Sequence, residues 1–419
     1  MRKLLLLAEE AFAVASLLLY SGGPLTVILS GGANEGDDSG ETNTSIILVL
    51  FFLNYIVTFF LLLLRWKKVI KVMKKEKVIV LLVGIAVFSF MWSSLPKKTI
   101  TRGIAIAGTS LFGLYLASRY TIKEQLKLLV YMYGIAVVFS FVFIAAIPKY
   151  GIMAGIHEGR WRGIYNHKNT LGKVIAPGLV VFLLSAFNSK KYSWLFWMAF
   201  SLAFILLVRS SSTTSLINGI CLIAVSISFR VFRWRDSLMV PSTITIASLG
   251  AIFYIIVSVT TEAILTALGK DTTLTGRGDM WPYIFEMIGK KPVLGYGFGA
   301  FWYGPDTPSF FIWRVTGWKP PNSHNGFLDL WLQIGLVGLV IFVFGFLVIT
   351  LPKAFYWVRT TTTSEGFWPL TYMTYMLLAN ISETTLMIQN DLFWVLYVAV
   401  AFSVQMSPER HKLSAIKNI

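Results

Sequence analysis

The hydrophobic positions of this chain form long runs that polar segments separate. Most runs extend for about 18 to 25 residues, the length that an α-helix needs to cross a bilayer. They predict about twelve transmembrane helices, at 11–29, 45–64, 78–95, 102–118, 128–147, 170–187, 192–208, 213–229, 238–260, 326–351, 366–381 and 388–405. The short alternating segments typical of an outer-membrane barrel are not the pattern seen here. The sequence therefore predicts an all-α polytopic integral membrane protein, with one membrane domain over 1–419.

The longest polar stretch, 261–325, lies between two of these runs. It interleaves charged residues with Trp, Tyr, Pro and Gly. Loops of this length are usually functional or disordered, and the aromatic content argues against disorder. We expect a large external loop that contains short helices and caps a site at the membrane surface.

Composition agrees with the pattern, because 56% of the residues are hydrophobic and only 14% are charged. A soluble protein has about 25% charged residues. The single cysteine, Cys221, rules out a disulfide within the chain. The net charge of +17 indicates membrane topology rather than nucleic acid, because Lys and Arg collect on the cytoplasmic side.

The charges of the loops predict an orientation. Loop 65–77 is rich in Lys and is expected inside, whereas 31–43 has four acids and no base and is expected outside. The N-terminal run is interpreted as an uncleaved first span, and both termini are predicted to be cytoplasmic. Segment 148–173 breaks the rule, because its cations, among them Arg160, Arg162, Lys168 and Lys173, are accompanied by a single acid, Glu158, on the outer side. Cations placed there suggest an anionic ligand.

Residues 159–172 read GRWRGIYNHKNTLG and lead into the sixth predicted helix. A helix N-terminus favours anions, and the planar fork of Arg fits phosphate. The candidate ligand-binding residues here are Arg160, Arg162, His167, Lys168 and Asn169. The alternative is anchoring at lipid headgroups by Arg, Lys and Trp, which does not require the His and Asn.

Arg277 lies between two glycines, just before a segment that resembles a helix start at Asp279 and Pro282. Glycines on either side let a ligand approach the backbone. The alternative is a surface pair between Arg277 and Asp279, which contributes little stability.

His324 and Asn325 close the polar stretch and lead into the tenth predicted helix. If Asn322 or Ser323 caps that helix, His324 lies in its first turn, where the helix dipole favours the neutral imidazole. A neutral imidazole can act as a general base. The alternative is a histidine that faces lipid headgroups.

Two further motifs are weaker evidence for a ligand site. The glycines of 295–299 resemble a nucleotide-binding run, but no strand–turn–helix pattern surrounds them, so they predict a tight turn that packs the loop onto the membrane domain. The hydroxyl-rich segment 209–215 is interpreted as helix capping. No Asp-x-Asp pair occurs, so neither a metal nor another cofactor is expected.

Together these residues resemble the O-antigen ligase and O-antigen polymerase superfamily, over about 159–172, 210–215 and 274–339. The form WRGIYNHKNTLG is most similar to the exopolysaccharide-polymerase (ExoQ-like) branch. The resemblance implies a GT-C-like, metal-independent glycosyltransferase of the bacterial inner membrane whose active site faces outward. It also implies that Arg162 and Arg277 bind pyrophosphate and that His324 is the base, with Arg160, His167, Lys168, Asn169 and Asn325 nearby.

The implied donor is an oligosaccharide on undecaprenyl pyrophosphate, and the implied reaction is polymerisation of repeat units onto an acceptor glycan. A ligase that transfers the glycan to lipid A-core is the alternative in the same class. A flippase for lipid-linked sugars needs polar residues through its spans, which are almost absent here, and an assembly scaffold is a further alternative. A flippase and a chain-length regulator of the same pathway are the implied protein partners, beside membrane lipid and with no nucleic acid.

Overall fold

The computed structural model describes residues 2–33, 45–232 and 277–406, without the side chains of 2, 230–232 and 277–279. These residues form α-helices joined by turns and short 3-10 segments. The helices are α1 Arg2–Tyr20, α2 Leu25–Leu29, α3 Ser45–Leu63, α4 Trp66–Met73, α5 Lys77–Phe88, α6 Pro96–Arg119, α7 Ile122–Ala146, α8 Pro148–Gly151, α9 Lys168–Asn188, α10 Ser193–Ser210, α11 Thr213–Phe232, α12 Arg277–Lys290, α13 Ser309–Thr316, α14 Gly326–Phe344, α15 Leu351–Thr360, α16 Trp368–Ser382 and α17 Leu392–Val404. A π-helical segment, Gly345–Thr350, joins α14 to α15.

Six of the described helices are long and apolar enough to cross a membrane. They are Ser45–Leu63, Pro96–Arg119, Ile122–Ala146, Lys168–Asn188, Ser193–Ser210 and the combined α14–α15 stretch Gly326–Thr360. Helices also occupy the other predicted spans, except for 238–260, which lies outside the described residues. The described residues are thus all-helical, as expected for a multi-pass membrane protein.

The first predicted span, 11–29, is wrong as a single helix. The helix α1 begins at Arg2 and ends at Tyr20, and the short helix α2 follows after a turn. Gly22 in that turn has φ 82°, a left-handed conformation that glycine adopts without a steric penalty, and Pro24 follows two residues later. Because proline cannot donate a backbone hydrogen bond, the helix does not continue through the turn.

Helix α14 is broken where its sequence shows only an apolar run. Ile334 and Gly335 leave the helical conformation, and Gly335 has φ 71° and ψ −175°. A Cβ atom at Gly335 would collide with the carbonyl oxygen of Val293 in the external loop. The break therefore admits the backbone of another segment against the helix.

Residues 292–297, which precede α14 in the chain, replace the helical hydrogen bonds that the break removes. The amide of Tyr296 donates to the carbonyl of Leu332 at 2.8 Å, and the amide of Gly297 donates to the next carbonyl along the helix at 2.9 Å. Beyond the break, the amide of Leu336 donates to the carbonyl of Pro292 at 2.9 Å. These bonds fix residues 292–299 on α14, in the packing role that the sequence predicts for this glycine run.

The described polar segments gather at two opposite ends of the helical bundle, which α6 joins. Near Pro96, the indole N–H of Trp92 donates to the carbonyl of Leu294 at 2.8 Å. At the other terminus of α6, Arg119 pairs with Glu9. We call the first end, with residues 147–167, 292–299 and 322–325, the His324 end. We call the second end, with residues 65–76, Arg119 and Gln405, the Lys67 end.

Candidate functional site

Arg162 lies in the turn between α8 and α9, and its side chain is completely buried. Its Nη2 donates to the carbonyls of Gly32 and Lys149, both at 2.7 Å. Its Nη1 donates to Ala33 at 2.9 Å and to Asn166 at 3.5 Å, and Nε donates to Tyr150 at 3.0 Å. The guanidinium therefore joins the chain after α2 to the segment before α9.

This arrangement directs the five N–H groups of Arg162 at five backbone carbonyls. A phosphate group could contact the guanidinium only by displacing some of them, because Arg has no further N–H donor. The sequence-based hypothesis that Arg162 binds pyrophosphate stays a prediction. The geometry favours a structural role, in which the buried guanidinium of Arg162 holds the turn before α9 in place.

The remainder of the 159–172 motif packs against the end of α10. Arg160 is exposed, and its Nη1 donates to the hydroxyl of Ser211 at 2.6 Å. Trp161 donates its amide to the carbonyl of Arg209 at 3.2 Å, and the guanidinium of Arg209 lies 4.9 Å from its ring centroid. The hydroxyl-rich turn at 210–212 thus supports the motif as well as ending its own helix.

His167 caps α9, which starts at Lys168 rather than at residue 170. Its Nδ1 accepts the amide of Asn169 at 3.1 Å, and its ring lies 5.4 Å from that of His157. The ammonium of Lys168 lies 3.5 Å from the amide oxygen of Asn169. The four candidates Arg160, His167, Lys168 and Asn169 therefore come together around one helix N-terminus, which is an environment that favours anions.

The cap of α14 is Asn325, and the expectation that Asn322 or Ser323 caps it is wrong. The side-chain oxygen of Asn325 accepts the amides of Phe327 and Leu328, at 3.0 and 3.1 Å. Its side-chain nitrogen donates to the carbonyl of Ile381 at 3.3 Å. The side chain of Asn325 is thus used by the fold, while its function as a substrate ligand stays a prediction.

His324 consequently precedes the helix instead of lying in its first turn. It has φ 51°, a left-handed conformation that is uncommon outside glycine. Its amide donates to the side chain of Asn322 at 2.9 Å, and its ring stacks on Trp318, with centroids 6.3 Å apart. The helix still begins directly after this turn, because its N-cap, Asn325, is the next residue.

Asp329, which the sequence analysis missed, organises the turn that carries His324. Its carboxylate is buried and accepts the amide of Ser323 at 3.2 and 3.3 Å. It also accepts the indole N–H of Trp302 at 2.8 Å and the hydroxyl of Thr384 at 2.7 Å. One carboxylate thus joins the external loop, the His324 turn and the segment after α16. Its sequence signal is an acid within an apolar run, which is rare in a membrane helix unless it has a function.

A second missed group lies on the first turns of α6. The ammonium of Lys98 lies 3.9 Å from the ring centroid of Tyr303, and the guanidinium of Arg102 lies 5.8 Å from it. Tyr303 follows Trp302, so this cationic pair lies beside the loop that Asp329 holds. Within the described chain, Lys98, Arg102 and Arg160 make no ion pair with a carboxylate. Within the residues that the structure describes, the His324 end therefore presents cations that are not paired with a carboxylate.

Arg277 begins α12, so the expectation that it precedes the helix is wrong, and Pro282 lies inside the helix. Its side chain lies outside the described residues. The indole N–H of Trp281, four residues later, donates to the carbonyl of Ser323 at 3.0 Å. This bond places the start of α12 beside the turn that carries His324.

Residues 198–343 match the O-Antigen ligase (Wzy_C) family. The match includes the end of α10, the external loop, the His324 turn and the broken helix α14. It does not include 159–172.

The chain is also similar to a curated relative, the exopolysaccharide production protein ExoQ of Rhizobium meliloti (strain 1021). The two are 23% identical over 271 residues, which is 61% of this chain and 60% of the relative. This chain thus matches less than two thirds of the relative's length. The two comparisons confirm the resemblance to the O-antigen ligase and polymerase superfamily and to its ExoQ-like branch.

Proposed function

Taking the O-antigen ligase and polymerase superfamily as the family of this chain, we propose that the protein is a membrane glycosyltransferase that polymerises repeat units of an exopolysaccharide or O-antigen. The proposal rests on the convergence of His324, Asp329 and the cations Lys98, Arg102 and Arg160 at one end of the bundle. The donor is an oligosaccharide carried on undecaprenyl pyrophosphate. The acceptor is a sugar hydroxyl of another glycan.

In the proposed reaction, the acceptor oxygen attacks the anomeric carbon of the donor sugar. The bond from that carbon to the phosphate oxygen breaks, undecaprenyl pyrophosphate leaves, and the proton of the hydroxyl passes to His324. A pre-positioned general base contributes about 100- to 10,000-fold in rate. The left-handed turn and the Asp329 contacts hold the imidazole at the mouth of the site before substrate arrives.

The leaving pyrophosphate gains negative charge as the bond breaks. Fixed cations stabilise that charge because they need no reorganisation at the moment of reaction. We assign direct phosphate contacts to Arg277, Arg160 and Lys168, and add Arg102 and Lys98 on the evidence of their position. Arg162 makes no direct phosphate contact in this proposal, and its buried guanidinium holds the turn that carries Arg160 in place. No Asp-x-Asp pair is present to bind a divalent cation, so we propose metal independence.

The aromatic residues of the external loop provide surfaces for sugar rings. Tyr303 is 45% exposed, and Trp318 stacks on His324. Trp302 and Trp313 are further candidates. Aromatic faces bind sugar rings by apolar contact while hydroxyls stay available to polar groups.

We propose an inner-membrane protein with about twelve spans and a GT-C-like arrangement. Both termini would be cytoplasmic, the loop 261–325 would form an external cap, and a flippase and a chain-length regulator would act beside the enzyme. Cysteines introduced into 31–43 or 270–319, with Cys221 replaced first, should react with an impermeant thiol reagent in whole cells whose outer membrane, if present, is permeabilised. Cysteines in 65–77 should not, and their labelling from outside would overturn the orientation.

The decisive experiment is turnover by purified protein with lipid-linked oligosaccharide. A ladder of products indicates the proposed polymerase. A single transfer to lipid A-core indicates the ligase alternative. Transbilayer movement of the lipid without transfer would overturn the proposal in favour of a flippase.

A further inference from the structure

The Lys67 end contains a cationic pocket, and the proposed glycosyl transfer has no use for it. The pocket has a volume of about 430 Å³ and lies where α3 turns into α4. Its lining residues are Leu64, Arg65, Trp66, Lys67, Lys68 and Arg119. Four of them are cationic and two are apolar, and the two apolar residues flank Arg65 in the chain.

The two arginines of the pocket, Arg65 and Arg119, are both held in place by ion pairs with Glu9. The carboxylate of Glu9 lies 2.7 Å from Nη2 of Arg65 and 3.1 Å from Nε of Arg119. Arg119 is further positioned over the ring of Tyr120, at 4.8 Å. Glu9 is a single carboxylate shared by two arginines, so Arg65, Arg119 and the neighbouring Lys67 carry more positive charge than Glu9 neutralises.

Helix α4 starts at this pocket and has the character of a helix that lies along a membrane surface. Val69 and Val72 are buried against the bundle, while Lys67 and Lys71 are exposed. A short amphipathic helix rich in lysine is typical of the interface between headgroups and acyl chains. The N-cap residue of α4 is Arg65, so the helix begins within the lining of the pocket.

The rim of the pocket continues into a lipid-facing surface. Leu64 is 80% exposed and Trp66 is 55% exposed. Phe60 and Leu63, on the last turn of α3, are exposed as well. A soluble anion would have no use for this apolar rim, whereas an anionic lipid has a phosphate for the cations and acyl chains for the apolar surface.

We propose that this pocket binds the phosphate headgroup of an anionic phospholipid, with the acyl chains along Leu64 and the end of α3. The lipid belongs to the leaflet that the positive-inside pattern assigns to the cytoplasm, opposite the glycosyl-transfer site. Juxtamembrane lysines strengthen binding to anionic lipid surfaces. In this protein the pocket would localise such a lipid beside Arg65 and Arg119.

The test is lipid binding by the full-length protein in phosphatidylcholine nanodiscs, titrated with labelled phosphatidylglycerol. The double variant Lys67→Gln/Lys68→Gln should bind it about 10- to 30-fold more weakly, the scale expected for two lysines near an anionic surface. The matched control, Lys190→Gln/Lys191→Gln, removes an exposed pair from another loop and should bind like the unmodified protein. Lys67→Arg/Lys68→Arg should retain binding.

Equal weakening by both glutamine pairs would overturn the proposal, because net charge rather than the pocket would then be responsible. Competition by millimolar inorganic phosphate that matches the effect of unlabelled phosphatidylglycerol would also overturn it, in favour of a site for the free anion. Since the readout is lipid binding, neither result depends on the activity at the His324 end.

Discussion

Arginine side chains have different partners at the two ends of the bundle. At the Lys67 end, Arg65 and Arg119 are partly exposed and share the carboxylate of Glu9. At the His324 end, Arg162 is fully buried and contacts carbonyl oxygens. A carboxylate opposes the charge of an arginine, whereas carbonyl dipoles satisfy its N–H groups without bringing a formal negative charge.

The difference indicates where the protein uses electrostatic potential. A net charge in a low-dielectric interior acts over a longer range than one in water. Arg162 therefore contributes positive potential to the turn above it, where Arg160 and Lys168 add to it. The paired arginines of the Lys67 end instead serve as a fixed base for the exposed lysines of α4.

The largest effect is expected from removing His324, the group that gives the His324 end its proposed chemistry. His324→Ala should lower turnover about 100- to 10,000-fold while binding of a lipid pyrophosphate stays nearly unchanged, because a general base acts on the acceptor. Turnover and donor binding are measured on the same purified variants. His157→Ala is the matched control and should cost less than about threefold.

Retention of most activity by His324→Gln, with normal expression, would instead indicate a packing or headgroup role. A loss of donor binding in His324→Ala as complete as in Arg277→Ala would transfer His324 to the pyrophosphate pocket.

Arg162→Ala should slow the reaction about 100- to 1000-fold, the range for removal of one stabilising donor. It should also lower the thermal midpoint, because the buried carbonyl groups that lose their donor cost about 1 to 3 kcal/mol each when they stay unsatisfied. Arg162→Lys should rescue in part, because Lys has three donors where Arg has five. Thermal unfolding and turnover are the measurements. Normal stability together with lost donor binding would show that the guanidinium contacts phosphate directly.

Asp329→Asn tests whether the buried carboxylate positions His324. The amide that replaces one oxygen cannot accept hydrogen bonds, so the turn loosens and turnover should fall about 10- to 100-fold, as expected when a catalytic group is misplaced by about 1 Å. Donor binding should change less than turnover. Thr384→Val removes one of the same contacts and should have a smaller effect. A larger effect from Thr384→Val than from Asp329→Asn would reject the role of Asp329.

Glu9→Gln should affect the Lys67 end and leave the glycosyl transfer at the His324 end unchanged. Its ion pairs are partly exposed, and such pairs contribute about 0 to 1 kcal/mol each. We therefore expect turnover within about twofold and a small fall in the thermal midpoint. Glu10→Gln, which removes an exposed pair with Lys127, is the control. Strong inhibition by Glu9→Gln alone would show that the two ends are coupled.

A chelator should leave turnover within about twofold, far from the several kcal/mol that a catalytic metal supplies. This outcome would sharpen the comparison by leaving side chains as the source of charge at the His324 end. Complete loss with EDTA, restored by magnesium or manganese, would contradict metal independence.

The apolar runs predicted the helices well because lipid requires every backbone hydrogen bond to be made within the segment. The run at 45–64 corresponds to Ser45–Leu63. The break in the first run had a sequence signal, the Gly23–Pro24 pair, which the hydrophobic pattern outweighed. The break at Gly335 had almost none, because a single glycine in an apolar run is also compatible with a helix.

The candidate site was predictable in its residue types but not in its contacts. Cations against the positive-inside pattern identified the segment around Arg160, and the helix start identified the region of His324. The partners of Arg162 include Gly32 and Ala33, which are far away in sequence and show no pattern. Asp329 was visible as a lone acid in an apolar run, but its function appears only when three segments converge on it.

The docking of residues 292–299 onto the broken helix sets which parts of the external loop tolerate a change in length. One added residue between Pro292 and Gly297 would shift each amide away from its carbonyl on α14, so this stretch has a fixed register. The turn around Asp306 is exposed and lies outside that register. Exposed loop tips accept insertions most readily, so an epitope tag or a fluorophore site after Asp306 would report on the external loop while the docked segment remains intact.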